Sequence, residues 1–141
     1  MDIFNFIKNL YVKHLDAIVE FYWQSWHFDM GKEHRSYNNE GAAFKHAYMS
    51  AELALFLGQR ISKWIGYIHE ITNPLNSPGE MLMDLHNNEI GRTIALEIKQ
   101  SHFLWFVCGD LKGIIASKVM NRLAAGYLIV SPKDEDAYNA G

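Results

Sequence analysis

The segment at positions 81–92 places an acid, a histidine, two amides and an arginine among core-forming residues, and it reads Met81-Leu82-Met83-Asp84-Leu85-His86-Asn87-Asn88-Glu89-Ile90-Gly91-Arg92. On a helix, Asp84, Asn88 and Arg92 fall at i, i+4 and i+8 and form a nearly straight row along one face. Gly91 and Ala95 lie on the same side and leave room for a neighbour. Polar groups on a crowded face cost free energy unless they find partners. The row therefore predicts either a hydrogen-bond network that fixes helix register or one wall of a polar site.

The composition is that of a globular protein with one core. The 141 residues are 49% hydrophobic and 21% charged, so we expect a single domain over residues 1–141. The net charge is −3 and the lysines and arginines are scattered. Phosphate-backbone binding needs a basic stripe, so a nucleic-acid partner is disfavoured. Cys108 is the single cysteine, which excludes an intrachain disulfide.

The N-terminal sequence does not look like a Sec signal peptide. Met1-Asp2-Ile3-Phe4 has no basic region, and no small-residue cleavage site follows it. No apolar run reaches the roughly 18 residues of a membrane-spanning helix. We therefore expect a protein that is made in the cytoplasm without a transmembrane segment. Export by a dedicated secretion system is compatible with the same sequence.

Hydrophobic periodicity predicts an all-α fold, a bundle of about five helices. The expected ranges are 2–27, 41–57, 60–71, 78–100 and about 111–125. Asn38 or Asn39, Ser77 and Asp110 are expected N-caps, and Gly58 is an expected helix end. A polar loop at 29–40 could act as a lid over a site. The apolar run at 101–108 fits either a helix or a short strand. We expect an extended segment or a short strand at 128–130 and a polar tail at 131–141.

The second predicted helix carries a histidine on its inward side. Ala42, Ala43 and Ser50 fall on the same side as His46 and leave space around its ring. The pattern fits either a buried core histidine or a site residue. In the first helix, the aromatic end that contains Trp23 fits core packing, an apolar wall for a lipid-like substrate or a partner surface.

The third predicted helix ends in two candidate polar groups. Its apolar stripe, which we expect to be buried, consists of Ile61, Trp64, Ile65 and Ile68. His69 lies at the edge of this stripe, whereas Glu70 projects nearly opposite. The periodicity therefore favours His69 over Glu70 as the residue that reaches a shared interior site.

Side chains from three consecutive helices could converge inside such a bundle. Two imidazoles and one carboxylate, from His46, His69 and Asp84, would suit a divalent metal such as zinc with open coordination positions. Without a metal, His46 could be a general base oriented by Asp84, with His69 or Glu70 as the acid. In either version Asn88 would hold a carbonyl or oxyanion, and Arg92 would bind a phosphate or carboxylate.

Several segments together resemble an uncharacterised family of bacterial helical domains. The matching segments are Gly41-Ala42-Ala43-Phe44-Lys45-His46-Ala47-Tyr48, then His69-Glu70, Asn73-Pro74 and Met83-Asp84-Leu85-His86-Asn87-Asn88 with Gly91-Arg92. They correspond to the family's N-A-F-R-H-A-Y-W run, its A-H-E and its M-D-L-x-N-N-x-x-G-R, and the motif-bearing core spans about 39–95. The chain departs from the pattern at Met49, where tryptophan is expected, and at Ile68, where alanine is expected.

The family occurs in secreted and polymorphic-toxin-like proteins, so the resemblance implies a toxin or effector domain. By motif match it also supports a set of site residues. The expected catalytic residues are His46, His69, Glu70 and Asp84, and the expected substrate-binding residues are Tyr48, Asn87, Asn88 and Arg92.

The residues and the resemblance together predict an antibacterial effector that is a hydrolase of phosphoester or lipid-linked cell-envelope substrates. A peptidoglycan-cleaving effector that uses Glu70 as its general acid is the nearest alternative. A non-enzymatic interaction or immunity module is a third interpretation, in which the polar row only fixes helix register. The expected partners are a cell-envelope or phosphate-containing substrate and, for a toxin, a cognate immunity protein.

Overall fold

Five α-helices build the part of the chain that the computed structural model describes, residues 2–73, 76–101, 104–107 and 109–132. They are α1 (Ile3–Trp26), α2 (Glu40–Leu57), α3 (Gln59–Ile71), α4 (Pro78–Ser101) and α5 (Leu111–Ala124), with a 3-10 turn at Trp105–Val107 between the last two. The all-α prediction is confirmed, and each helix begins and ends within one residue of its predicted bounds. The strands considered for 101–108 and 128–130 are absent from the described residues of those segments, and most of the predicted tail lies outside the described ranges.

The helix ends follow from local sequence. Asn39, Ser77 and Asp110 each accept a hydrogen bond from a backbone N–H in the first turn of α2, α4 and α5. Gly58 takes a φ of 95° and joins α2 directly to α3. None of the helices in the described ranges has the length and apolar composition needed to cross a bilayer.

The central helix is α2, which packs against the other four. It approaches α4 most closely where Ala47 faces Gly91: a Cβ atom built on Gly91 would lie 2.1 Å from the Ala47 carbonyl oxygen. The alanines at this contact are fully buried. Because the residues that face each other here are small, the two helices approach closely, and the side chains of His46 on α2 and Asp84 on α4 can interact.

The third helix packs with its polar side inward, so the prediction that its apolar stripe is buried is wrong. The buried residues of α3 are Ser62, Gly66 and Glu70, whereas Ile61 and Trp64 are exposed. The inward residues follow each other at intervals of four and form one face of the helix.

Close packing against α2 and α4 explains this orientation. Ser62 Oγ donates a hydrogen bond to the Ser50 carbonyl of α2 at 2.9 Å. On α4, Asn88 packs so tightly against Gly66 that a Cβ atom there would lie 2.7 Å from the amide nitrogen. Bulky side chains such as tryptophan or isoleucine would not fit at these two contacts.

The first helix packs on the bundle only along its second half. Leu15, Ile18 and Val19 are buried against the core. Every residue from position 2 to 10 is exposed, including the large apolar side chains of Phe4 and Ile7. The N-terminal half of α1 is therefore an apolar helix segment that extends beyond the core.

Candidate functional site

Three side chains of the kind that bind metals or move protons meet between α2, α3 and α4. One nitrogen or oxygen atom each from His46, Glu70 and Asp84 lies within 4.8 Å of the other two. His46 Nε2 is 3.4 Å from Asp84 Oδ1, and these two side chains are 16% and 13% exposed. Glu70 is 1% exposed and therefore lies deeper. We refer to these three residues as the HED cluster.

The structure reverses the roles predicted for the two polar residues at the end of α3. Glu70 reaches the cluster, whereas His69 is exposed, with its ring centroid 6.3 Å from that of His46. The prediction that His69 rather than Glu70 faces the interior is wrong, because it assumed that the apolar stripe of α3 is buried. The structure thus groups Glu70, not His69, with His46 and Asp84, and His69 lies at the exposed edge of the HED cluster.

The ring of His46 is held by Asn88. The Asn88 side-chain amide lies 3.2 Å from Nδ1 of the ring. With its nitrogen towards the ring, the amide also donates to the carbonyl oxygens of His46 and Asp84, at 3.3 and 3.2 Å. With its oxygen towards the ring, it accepts from Nδ1–H, and the lone pair of Nε2 then faces Asp84. The first arrangement satisfies all three contacts of the amide, whereas in the second the amide oxygen faces the two carbonyl oxygens; a metal bound at Nε2 would require the second.

The two carboxyl groups of the cluster sit in an environment that favours their protonated forms. Burial, followed by the Asp84 carboxylate, raises the pKa of Glu70 well above its usual range, although a hydrogen bond of 2.5 Å from Asn76 opposes this shift. Burial also raises the pKa of Asp84, whereas its hydrogen bond to Glu70 and nearby His69 lower it. Near neutral pH, a proton shared between Glu70 and Asp84 would relieve the repulsion between them.

Neither histidine supplies a balancing positive charge near pH 7. Burial is the main cause that lowers the pKa of His46, to about 4. Burial and the neighbouring His46 also lower the pKa of His69. One buried oxygen, Oε1 of Glu70, has no hydrogen-bond partner within the described residues when Glu70 is ionised. Buried polar atoms are rarely left unpaired, so this oxygen calls for either a proton or a cation.

Replacing Glu70 by glutamine should remove a pH-dependent loss of stability in metal-free buffer. A raised pKa stabilises the fold fully below the unfolded value of about 4.5, and this contribution is lost as the pH rises through the folded pKa. Glutamine resembles the protonated acid and does not titrate. The melting temperature of Glu70→Gln should therefore exceed that of the unaltered chain by a margin that grows from about pH 5 to about pH 9. Each unit of pKa difference corresponds to about 1.4 kcal/mol.

The measurement is thermal denaturation across this pH range, with Glu33→Gln, at an exposed glutamate, as the control. If the difference in melting temperature between Glu70→Gln and the unaltered chain is the same at every pH, Glu70 does not hold a proton in the folded protein.

Three other predicted site residues lie away from the HED cluster. Asn87 is fully buried, and its amide both donates to the Ile129 carbonyl at 2.8 Å and accepts from the Ile129 N–H at 2.9 Å. It therefore attaches the segment after α5 to α4. Tyr48 is fully buried in the core, where burial and nearby Glu52 raise its pKa. Arg92 faces an open groove between α3 and α4.

Asn76 is a site residue that the sequence did not single out. Its amide Nδ2 donates to Oε2 of Glu70, whereas Oε1 has no hydrogen-bond partner among the described residues. The only signal in the sequence was the turn-rich connection that follows α3, which gave no reason to choose Asn76 over Asn73. Its partner became identifiable only once Glu70 was known to face inward.

A family model described as a domain of unknown function (DUF6973) matches residues 21–126. The chain belongs to this family. The DUF6973 region contains all of α2 to α5 and therefore the whole HED cluster, whereas the exposed N-terminal half of α1 precedes it. Membership agrees with the resemblance to an uncharacterised helical domain and brings no assigned activity. No curated protein and no solved structure matches the chain.

Proposed function

We propose that the protein is an antibacterial effector-type hydrolase that uses a divalent cation, held by the HED cluster, to cleave a phosphoester or lipid-linked bond of the cell envelope. The observation that carries the proposal is a buried glutamate in contact range of a histidine and a second carboxylate: Oε1 of Glu70 has no hydrogen-bond partner among the described residues, and one oxygen of Glu70 lies within 4.8 Å of His46 and Asp84. A buried carboxylate oxygen in this position is expected to bind either a proton or a cation.

The donor set fits a first-row divalent ion. One imidazole nitrogen and two carboxylate oxygens suit zinc or manganese, and three protein ligands leave positions open for water and substrate. Asn88 and Asn76 hold His46 and Glu70 through hydrogen bonds, as outer partners of metal ligands commonly do. A cation would also replace the shared proton as the charge that balances Glu70 and Asp84.

The chemistry follows from the positions of these groups. A divalent ion held by His46, Glu70 and Asp84 would supply a water of lowered pKa and would polarise a phosphoryl oxygen. Asp84 and His46 lie at the partly open side of the cluster, where a substrate could reach them. His69 lies at the exposed edge, where its imidazole, uncharged near pH 7, could accept a proton from an attacking water.

The biological part of the proposal rests on the resemblance of the motif-bearing segments to polymorphic-toxin-like proteins. Under this proposal the protein reaches its target through a dedicated secretion system, and a cognate immunity protein neutralises it in the producing cell. The near-neutral, slightly acidic composition supports an envelope substrate over a nucleic acid, since no basic stripe is present in the sequence.

The proposal is tested by metal binding and turnover measured on the same preparation. In chelator-treated buffer, added Zn²⁺ or Mn²⁺ should raise the stability by about 2.7 kcal/mol at a hundred times the dissociation constant. Phospholipid, lipid-linked and peptidoglycan substrates are then incubated with the loaded protein. We expect release of a phosphate-containing or lipid product that requires the ion.

His46→Ala should lose both the ion-dependent stabilisation and the turnover. The matched control is His14→Ala, because His14 also contacts a carboxylate, that of Glu52 at 3.1 Å, but lies outside the cluster. Peptidoglycan fragments as the only product would support the wall-cutting alternative. Ion binding without any turnover would overturn the hydrolase, and full turnover by His46→Ala would remove the cluster from the mechanism.

A further inference from the structure

The outward side of α3 is an apolar surface that the rest of the described chain does not cover. Trp64 is 66% exposed and Tyr67 is 51% exposed, and Ile61 and Ile71 on the same helix are also exposed. Together with Leu82 of α4 they form what we call the α3 face. An open groove of roughly 950 Å³ runs between α3 and α4 along this surface.

Positive charges line the α3 face although the whole chain is acidic. Arg60, Lys63 and Arg92 border the groove, and among the described residues that line it Glu89 is the one acid. These three cations take part in none of the ion pairs found among the described residues. The only acid of α3 itself, Glu70, is buried, so the charge that α3 presents to solvent is positive in a chain of net charge −3.

The exposed half of α1 has the same character. The first half of α1, residues 3–14, includes Lys8 and Lys13 and contains no aspartate or glutamate. The charge of Lys8 contributes to lowering the pKa of His69 at the end of α3. Exposed apolar residues bordered by lysine therefore occur on both α1 and α3.

We infer that the α3 face docks on an anionic lipid bilayer. Helices that lie in a membrane interface combine an apolar side that includes aromatic residues with lysine and arginine at its borders, which is the arrangement of Ile61, Trp64 and Lys63. Tryptophan and tyrosine favour the headgroup level because they have an apolar ring and a polar tip. The cations that border the groove are complementary to the negative charge of phosphatidylglycerol or cardiolipin.

Docking would also place the HED cluster close to the lipid headgroups. His69, at the exposed edge of the cluster, is only two residues from Ile71 on the α3 face. The biological use of this docking rests on the proposed function, because it would bring the hydrolase to lipid-linked substrates. The docking itself does not depend on that function. Binding itself is measured in chelator with no turnover, so each proposal can fail without the other.

The test is co-sedimentation of the full chain with vesicles in chelator. Vesicles of phosphatidylcholine with phosphatidylglycerol should bind the protein, and vesicles of phosphatidylcholine alone should bind it far more weakly. Arg60→Glu with Lys63→Glu should weaken binding by about tenfold or more. The control, Lys32→Glu with Lys112→Glu, makes the same change of net charge at exposed positions elsewhere and should bind nearly as well as the unaltered chain.

Trp64→Ser tests the apolar contribution, with Phe106→Ser as an exposed aromatic control outside the α3 face. Both positions are exposed, so thermal denaturation should show unchanged folding. The inference is overturned if the unaltered chain does not bind phosphatidylglycerol vesicles, or if the two charge-reversal pairs bind equally. A dimer in solution that Trp64→Ser dissociates would also overturn it, because the face would then be an interface between two copies.

Discussion

Replacing Asp84 by asparagine should abolish ion-dependent turnover and leave the fold intact. Asparagine keeps the shape of the side chain but removes the charge that binds a divalent cation, so we expect kcat/KM to fall by about a thousandfold, or about 4 kcal/mol. In metal-free buffer the melting temperature should be unchanged or higher, because the substitution removes one of two neighbouring buried carboxylates. Turnover assays and thermal denaturation of the same preparation measure the two effects.

The control for this experiment is Asp16→Asn. Asp16 also pairs with a basic side chain, Lys45 at 2.6 Å, but it lies on α1, is not part of the HED cluster and is largely exposed. It should leave turnover unchanged. If Asp84→Asn instead lowers the melting temperature by several degrees and still binds metal, the polar row of α4 is a structural network and the non-enzymatic interpretation is favoured.

The sequence was sufficient for the helices because their determinants are local. An apolar repeat near 3.6 residues and a capping side chain at Asn39, Ser77 or Asp110 define each start without reference to the rest of the chain. The same local reasoning placed His46 and Asp84 inward, because small residues surround them on α2 and α4. These two side chains do contact each other.

The sequence was insufficient for Glu70 because helix orientation is a tertiary property. The apolar stripe of α3 indicated a buried side, but only Ser62 and Gly66 are small enough for the contacts with α2 and α4. The bulky apolar stripe therefore faces solvent. Glu70 faces the interior because it lies on the same side of α3 as Ser62 and Gly66. A run of small residues at intervals of four was the signal that could have corrected the prediction.

The adjacent amides of α4 show the same limit. Asn87 and Asn88 are both fully buried, and motif resemblance assigned both to substrate binding. One bonds to Ile129, which is distant in sequence, and the other to His46. Because neighbouring helix positions differ by about 100° in direction, the partners of each amide depend on which segments pack on either side, and periodicity alone cannot identify them.

Replacing Gly91 by alanine should destabilise the fold and disrupt the HED cluster together. The new Cβ atom would lie 2.1 Å from the Ala47 carbonyl oxygen and 2.9 Å from Ser50 Cβ, and a backbone atom cannot move aside unless α2 and α4 separate. Such overpacking costs about 3 kcal/mol, while the better helix propensity of alanine returns about 1 kcal/mol. The net loss of about 2 kcal/mol should lower the melting temperature by roughly 7 °C.

Separation of the two helices would also move His46 away from Asp84, so ion binding should weaken in the same variant. Calorimetric titration with Zn²⁺ measures this effect beside thermal denaturation. Gly109→Ala is the matched control, because no atom lies within 4 Å of the Cβ position there and the change should stay within about 0.5 kcal/mol. An unchanged melting temperature for Gly91→Ala would mean that α2 and α4 are farther apart than described. The close approach of His46 and Asp84, on which the HED cluster depends, would then be contradicted as well.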